Sequence, residues 1–476
     1  MKQEFRGRAA AVFAAVSCAF IATPARAQTD AERLEKLERA VQLLQQRNAE
    51  LEQEVRGLKQ QRSAPAPAVA ESAPKPADDG KAVVEKSAAK EEKPKVYATA
   101  GASEFKLTLA GFIQGQFDGG DVFAFEGRFG VGTGEIKDRF RLRRARIGVS
   151  GEYTDLFDFK LEGEFTQSDV GLTVRDAQGR TLGSNASRTA FGATDLFANW
   201  RTFDEFNVKV GQFKAPFGLE QLTSDTKLFT PERSLVTTAL TPERQIGVQV
   251  WGKPLASVLP AQKDLLTYYA GAFNGTGRNI TVNDNNEFMY VARLEVQAMK
   301  TKILNQESTL KLGANGVTSR DETGTSISSA LLENSDGSLS AYNLPSRGTR
   351  EGYGFDAALH VGPFDLIGEY ISENVRPRGP EPRFSDFTAD GYYVQGSYFV
   401  LPKRLQLVTR WETFDPGQAA NDDIDSVVAG VNYYLKGDDI KLLAAYVHTW
   451  SDFRDANEGF GKAEFDEVIV RLQVMF

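Results

Sequence analysis

From Tyr97 to the end of the chain, apolar and polar residues alternate with a period of two, as in strands whose two faces meet different surroundings. Phe105, Leu107, Leu109 and Ile113 alternate with Lys106, Thr108, Gln114 and Gln116. Similar segments recur at 139–153, 156–167, 193–203, 206–213, 245–252, 263–274, 286–299, 303–318, 350–361, 363–373, 386–400, 404–415, 425–436, 439–450 and 464–476. With 104–118 these predict sixteen strands, an even number that suits a closed bacterial outer-membrane barrel. The connections alternate in length. Thr154-Asp155, Val361-Gly362-Pro363, Leu401-Pro402-Lys403 and Lys436-Gly437-Asp438 are short, whereas 119–138, 168–192, 319–349, 374–385 and 451–463 are long. Short periplasmic turns and long outer loops distinguish such a barrel from a soluble all-β solenoid.

One connection breaks the pattern. Alternation stops at Lys214-Ala215-Pro216-Phe217-Gly218 and resumes at Ile246, with Pro231 and Pro242 between. The segment is too long and too punctuated for a hairpin turn. Its apolar residues, among them Phe217, Leu219, Leu228, Phe229, Leu235 and Val236, need a surface to bury against. It is therefore expected to fold inward as the third long loop and pack on the barrel wall. Its charged residues Lys214, Glu220, Asp225, Lys227, Glu232, Arg233, Glu243 and Arg244 then face a pore.

The N-terminal part is of another kind. Residues 1–27 read as a secretory signal: Lys2, Arg6 and Arg8 precede an apolar run, and Ala25-Arg26-Ala27 fits the cleavage site. Residues 28–61 carry a heptad seam, with Leu34, Val41, Asn48 and Val55 at a and Leu37, Leu44, Leu51 and Leu58 at d. This predicts an α-helical coiled coil. Asn48 is a register device usual in parallel dimers, so the seam alone leaves the oligomer number open. Residues 62–96, rich in Ala, Pro, Lys and Glu, cannot bury a core and read as an extended linker. The porin-like barrel domain then occupies 97–476. An even strand count leaves both barrel ends on one side, which puts the coil in the periplasm, where it would meet peptidoglycan or a periplasmic partner.

Composition adds exclusions. Hydrophobic residues make up 41% and Gly numbers 43, and no stretch beyond the signal is apolar enough for a membrane helix. The single cysteine, Cys18, lies in the signal, so the mature chain has neither disulfide framework nor thiolate metal site. The two histidines, His360 and His448, fall on separate strands near opposite membrane faces. No enzyme, cofactor, metal or nucleic-acid reading follows.

Parity assigns the charges. An Arg or Lys on the lipid face at the midplane costs roughly 2–4 kcal/mol. Lys160, Glu162, Glu164, Lys209, Arg293, Glu295, Lys311, Arg410 and Arg471 are therefore expected in the lumen, which is mixed in sign. The run Arg139, Arg141, Arg143, Arg144 and Arg146 is the exception. Arg144 and Arg146 share the inward parity, while Arg139, Arg141 and Arg143 need a bulge near Arg143-Arg144 or a place at the headgroups. A guanidinium column suits phosphate; equally, the arginines can pair with lumen carboxylates. Of 56 basic and 64 acidic residues, 17 and 14 precede residue 97, leaving 39 basic and 50 acidic in the barrel domain. An anion path must then be local.

The last strand ends Val468, Val470, Leu472, Val474 and Phe476, a terminal pattern matching the strand by which outer-membrane barrels are recognised. The blocks FRLRRARIGVSGEYTDLFDFKLEGEF, VGQFKAPFGLE and PERQIGVQVWG resemble the phosphate-selective porin O and P family, over most of 105–476. The resemblance implies a trimeric, sixteen-stranded barrel narrowed by its third loop, with lumen Arg and Lys guiding anions. The coiled coil is an addition to that pattern. The expected function is passive diffusion of small anions, phosphate or related oxyanions, across the outer membrane. The candidate pore residues are Arg139, Arg141, Arg143, Arg144, Arg146, Lys209, Lys214, Lys227, Arg233 and Arg244. The competing expectation is a general or weakly cation-leaning porin whose coil tethers the outer membrane to the envelope.

Overall fold

The computed structural model describes residues 96–98, 105–128, 136–153, 156–166, 173–175, 181–184, 192–303, 305–321, 330–333, 339–342, 348–377, 385–417, 420–456 and 461–476. The signal, the coiled coil and, apart from Val96, the linker expected from sequence lie outside these residues.

Sixteen strands form the wall: β1 (Phe105–Gly120), β2 (Arg139–Tyr153), β3 (Phe157–Glu164), β4 (Gly192–Trp200), β5 (Asn207–Lys214), β6 (Arg244–Gly252), β7 (Leu266–Phe273), β8 (Met289–Ile303), β9 (Gln306–Asp321), β10 (Gly348–Val361), β11 (Phe364–Pro377), β12 (Phe387–Leu401), β13 (Leu405–Asp415), β14 (Ile424–Lys436), β15 (Ile440–Ser451) and β16 (Glu464–Met475). Each is antiparallel to the next, and β16 pairs with β1, so no edge is left open. At the seam Gly111 N donates to Phe476 O at 2.9 Å and Phe476 N to Gly111 O at 3.0 Å. The strands are those expected from the alternation, with ends moved by a few residues. β9, for example, starts at Gln306, paired with Ile303 and directly after Asn305 at φ 62°. One end carries the short turns and the start of β1, and the other carries the long connections.

The alternation records two environments. Outward side chains such as Leu109, Ile113, Leu161, Val210 and Leu472 are exposed and apolar. Outward aromatic residues gather towards the two ends: Phe157, Trp200, Tyr398 and Tyr433 near the short turns, Phe140, Tyr290, Tyr353 and Trp411 near the long loops. Inward side chains near the short turns are polar, as at Gln114, Gln406, Asn432 and Lys441. Nearer the long loops, however, inward positions on β8, β9, β11, β13 and β14 are also apolar. Val291, Val317, Ile371, Val375, Phe414 and Ile424 form one buried cluster with Phe217, Leu235, Val236, Ala239 and Leu240 of residues 215–243. A second cluster joins Val428, Val447, Phe465 and Ile469 to Ala124 and Phe125 of α1 (Val122–Glu126), in the first long loop. Arg454, on α4 (Asp452–Ala456) of the last loop, donates to Ala124 O at 3.3 Å and Gly127 O at 2.5 Å. The two helices between these, α2 (Leu219–Leu222) and α3 (Leu235–Leu240), belong to residues 215–243.

The basic run of β2 is resolved by a bulge. Arg144 pairs with Gln114 and Leu142 with Gly115, so Arg143 is an extra residue opposite no partner. The parity shift brings Arg139 and Arg141, opposite Asp118 and Gln116, to the inward face already held by Arg144 and Arg146. Phe140 and Leu142 point outward, 86% and 61% exposed.

Candidate functional site

Residues 215–243 turn inward at Gly218, whose φ of 79° and ψ of 129° suit a residue without Cβ. The wall then supplies the cap that α2 lacks in its own sequence and adds one to α3. Glu369 on β11 accepts from Leu219 N at 2.7 Å and Glu220 N at 3.1 Å, the first amides of α2. Ser234 caps α3 by accepting from Thr237 N, while Glu412 on β13 accepts from Leu235 N at 3.1 Å. Glu220 in turn accepts from Ser234 N at 2.8 Å and pairs with Arg410 at 3.1 Å.

Between the helices, wall side chains reach the loop's backbone almost residue by residue. Gln114 on β1 donates to Asp225 O, and Gln473 on β16 to Thr226 O. Lys441 on β15 donates to Leu228 O, Asn432 on β14 to Phe229 O, Arg471 on β16 to Pro231 O and Arg410 on β13 to Glu232 O. The backbone groups of an extended segment, costly to bury unpaired, are thereby satisfied from the wall.

Opposite stands the arginine column, and two loop carboxylates reach into it. Asp225 receives Arg146 Nη1 at 2.6 Å, Arg233 Nη1 at 2.5 Å and Arg144 Nε at 3.5 Å. Glu232 receives Arg143 through both carboxylate oxygens, at 2.8 and 3.0 Å, and Arg471 at 2.5 Å. Arg139 and Arg141 sit higher, on Asp118 and Glu126, and Arg146 also meets Glu164 at 2.6 Å. Burial alone would raise the Asp225 carboxyl, but Arg144, Arg233 and Arg146 more than offset it and hold it well below the usual carboxylate range. The same balance holds Glu232 low, with burial outweighed by Arg143, Arg471 and Arg144.

The remaining candidates are spread. Arg244 on β6 meets Asp195 at 2.8 Å, and Asp195 also takes Lys160 at 3.0 Å. Lys214 donates to Gln221 O at 2.6 Å and Thr223 O at 2.8 Å, stitching the loop to its own stem. Lys209 lies over the rings of Phe197 and Phe213, at 4.3 and 5.1 Å. Lys227, near the loop's tip, is exposed. Among the described residues, Lys209, Lys214 and Lys227 are the three candidates without a carboxylate partner. The structure thus brings Arg143, Arg144, Arg146 and Arg233 together and leaves Lys209, Lys227 and Arg244 elsewhere. Sequence reasoning passed over Glu369, Glu412, Asn432 and Lys441 as loop anchors. All four have inward parity, which marks them as lumen residues without saying that a loop covers them. The histidines lie at opposite ends of the wall, His360 beside Asp365 and His448 beside Asp466.

Comparison with known proteins gives this geometry a family. The profile of "Phosphate-selective porin O and P" matches residues 119–476. Porin O of Pseudomonas aeruginosa is 24% identical over 432 residues, covering 78% of this chain and 89% of that protein. An uncharacterised protein of Aquifex aeolicus is 25% identical over 385 residues, covering 76% of this chain and 85% of its own. Among solved structures, the anion-selective porin of Comamonas acidovorans superposes with a TM-score of 0.50 at 13% identity, over 78% of this chain and all of that one. A loop-deletion mutant of OmpT, an outer membrane protein of Vibrio cholerae, gives 0.51 at 13% identity over the same shares. The structural likenesses speak for the barrel alone, while the profile spans most of the chain. This outer-membrane barrel belongs to the phosphate-selective porin O and P family.

Proposed function

We propose that this porin gives passive diffusion to small anions, phosphate or related oxyanions, through a pore narrowed by residues 215–243. The observation that carries the constriction is the row of wall-to-loop hydrogen bonds at 225–232, which fixes the segment against inward side chains of β1 and β13–β16. Among the described residues, Lys209 and Lys227 carry charge with no carboxylate at ion-pair distance, and a fixed charge in a narrow, poorly screened passage acts more strongly than one at a surface. Single-channel reversal potentials in a potassium chloride gradient test this. Wild type should favour chloride, and Lys209→Gln should move the reversal potential towards zero. A wild-type channel that prefers potassium and ignores phosphate removes the anion reading.

A second reading, a general or weakly cation-leaning porin, is favoured by the carboxylate partners of all five arginines of β2 and by the acidic balance of the barrel. Under it, phosphate leaves chloride current untouched. In either reading we take the protein as a homotrimer in outer-membrane lipid, with the coiled coil of 28–61 in the periplasm. That placement is supported by the entry of β1 at the short-turn end. Deleting 29–61 should leave an inserted, conducting barrel with weaker oligomers or looser envelope attachment. Loss of insertion would sink the division into barrel and accessory coil.

A further inference from the structure

On β6 the outward Val248 and Val250 alternate with the inward Gln249 and Trp251, close to the short-turn end. Trp251 pairs with Tyr269 on β7, which pairs in turn with the inward Arg293 on β8. Both rings are half-buried and belong to neither apolar cluster under the loops. Other inward rings, such as Phe213, Phe273, Tyr393 and Phe414, are at most 3% exposed. The indole N–H of Trp251 reaches across β5 to Asn199 Oδ1 on β4 at 2.9 Å, so the indole lies along the wall instead of standing off it. The Tyr269 ring is within 15° of parallel to it, with centroids 6.3 Å apart. That is the offset arrangement, which leaves most of each face uncovered by the other. Two carboxylates flank the pair. Asp158 accepts from Asn199 Nδ2 at 3.0 Å, and Glu295 accepts from the Tyr269 hydroxyl at 3.5 Å. Each already meets a guanidinium at 2.9 Å, Arg201 Nε for Asp158 and Arg293 Nε for Glu295, yet their side chains stay 28% and 33% exposed.

We propose that Trp251 and Tyr269 form a docking platform for a neutral sugar ring inside the lumen. A pyranose ring has an apolar face of C–H groups and a rim of hydroxyls. The face suits the uncovered aromatic surface, and the hydroxyls suit the carboxylate lone pairs that the arginines leave free. The ion pairs decide the class of solute. Because a guanidinium already offsets each carboxylate, an ammonium solute would have to displace an arginine, whereas a hydroxyl need only donate. An aromatic carboxylate would bring its own charge against Asp158 and Glu295. The platform is independent of the anion reading, for it asks for no charge on the solute.

The four tryptophans make the test direct. Trp200, Trp411 and Trp450 face outward, so Trp251 alone reports from the lumen. Maltose titrated into the full-chain porin in detergent should shift wild-type tryptophan emission in a saturable way. Trp251→Phe, which keeps a ring, should lose that shift. In planar bilayers maltose should interrupt potassium chloride current through wild type. Trp251→Ala or Tyr269→Leu should raise the half-blocking concentration about fivefold, the share of one ring contact, and Trp251→Phe should raise it less. Glu295→Gln should raise it too, with both rings in place. Sorbitol, which has hydroxyls but no ring, should neither shift emission nor interrupt current. Equal effects of sorbitol and maltose, or a block that survives both ring substitutions, overturn the proposal. So does a response to benzoate or tetramethylammonium in place of maltose. Should Trp251→Ala fail to fold, Tyr269→Leu and Glu295→Gln decide, and unchanged half-blocking concentrations in both sink the platform. Maltose block in a channel that prefers potassium would keep the platform and discard the anion reading.

Discussion

Glu412 on β13 accepts the backbone N–H of Leu235 at 3.1 Å, across 177 residues of chain. The barrel wall thus caps a helix in a loop that starts eight strands earlier. Losing a cap costs about 0.5–2 kcal/mol. Glu412→Leu also strips Arg410 of a partner at 3.0 Å. Amide exchange over 235–240 should accelerate several-fold in this variant while exchange in β13 stays slow. Glu412→Gln, which keeps an acceptor, should lie between. Unchanged exchange in both variants would show that the cap adds nothing to the loop's order.

The bulge at Arg143 makes a sharper forecast. Arg143→Ala keeps the extra residue and hence the inward parity of Arg139 and Arg141. Inserting one alanine after Arg143, with the one-residue bulge kept, turns that upper half of β2 over, putting both arginines on the lipid side and Phe140 and Leu142 in the lumen. Each misplaced arginine costs up to roughly 2–4 kcal/mol, less near the interface. Folding yield into lipid vesicles should drop far more for the insertion than for Arg143→Ala. Equal yields would mean that the register beyond the bulge adjusts freely.

Gly218 should resist even alanine. At φ 79° an L-residue is strained by about 1 kcal/mol or more, and an added Cβ would stand 3.0 Å from Glu369 Oε1. That oxygen caps α2, so the strain falls on the joint between loop and wall. Gly218→Ala channels should show larger, noisier single-channel currents than wild type, and identical current histograms would refute the strain argument.

Acid gives a test of sign. Asp225 and Glu232 titrate in the folded chain below their unfolded values of about 3.9 and 4.3. Their contribution is fully present above those unfolded values and fades as pH falls through the lower folded ones. The gap in thermal midpoint between wild type and the Asp225→Asn, Glu232→Gln double variant should stay constant from pH 8 to about pH 5 and narrow below about pH 4. A gap that narrows between pH 7 and pH 5 would place the carboxylates in the opposite regime.

The wall was legible because each strand alternates between lipid and lumen, and that alternation is written locally. The bulge was legible only as one of two choices: five arginines at 139–146 cannot share one face of an unbroken strand, and the cross-strand pairing, not the sequence, decides for a bulge over a place at the headgroups. Parity held where the loop covers the wall, but the expectation of polar residues inside did not. Val291, Val317 and Ile371 are apolar yet inward, because a protein surface rather than water lies against them. The partners of the arginines were out of reach for another reason. Arg146 and Asp225 lie 79 residues apart, and Arg143 and Glu232 lie 89 apart, with no repeat linking them. Only the closed barrel brings them together. Helices as short as α2 and α3 carry too few turns for a periodicity, and half their caps come from other strands.

The seam between Gly111 and Phe476 has a consequence for the order of assembly. The first strand completes its pairing only with β16, so the wall cannot close until residues 464–476 are in place. Residues 225–232, made midway, take their anchors from β13–β16 on one side and β1 and β2 on the other. Those two groups become neighbours only through the seam. The constriction is accordingly a late event: the loop must wait, unseated and with its carboxylates exposed, for a cylinder whose final staves have yet to emerge.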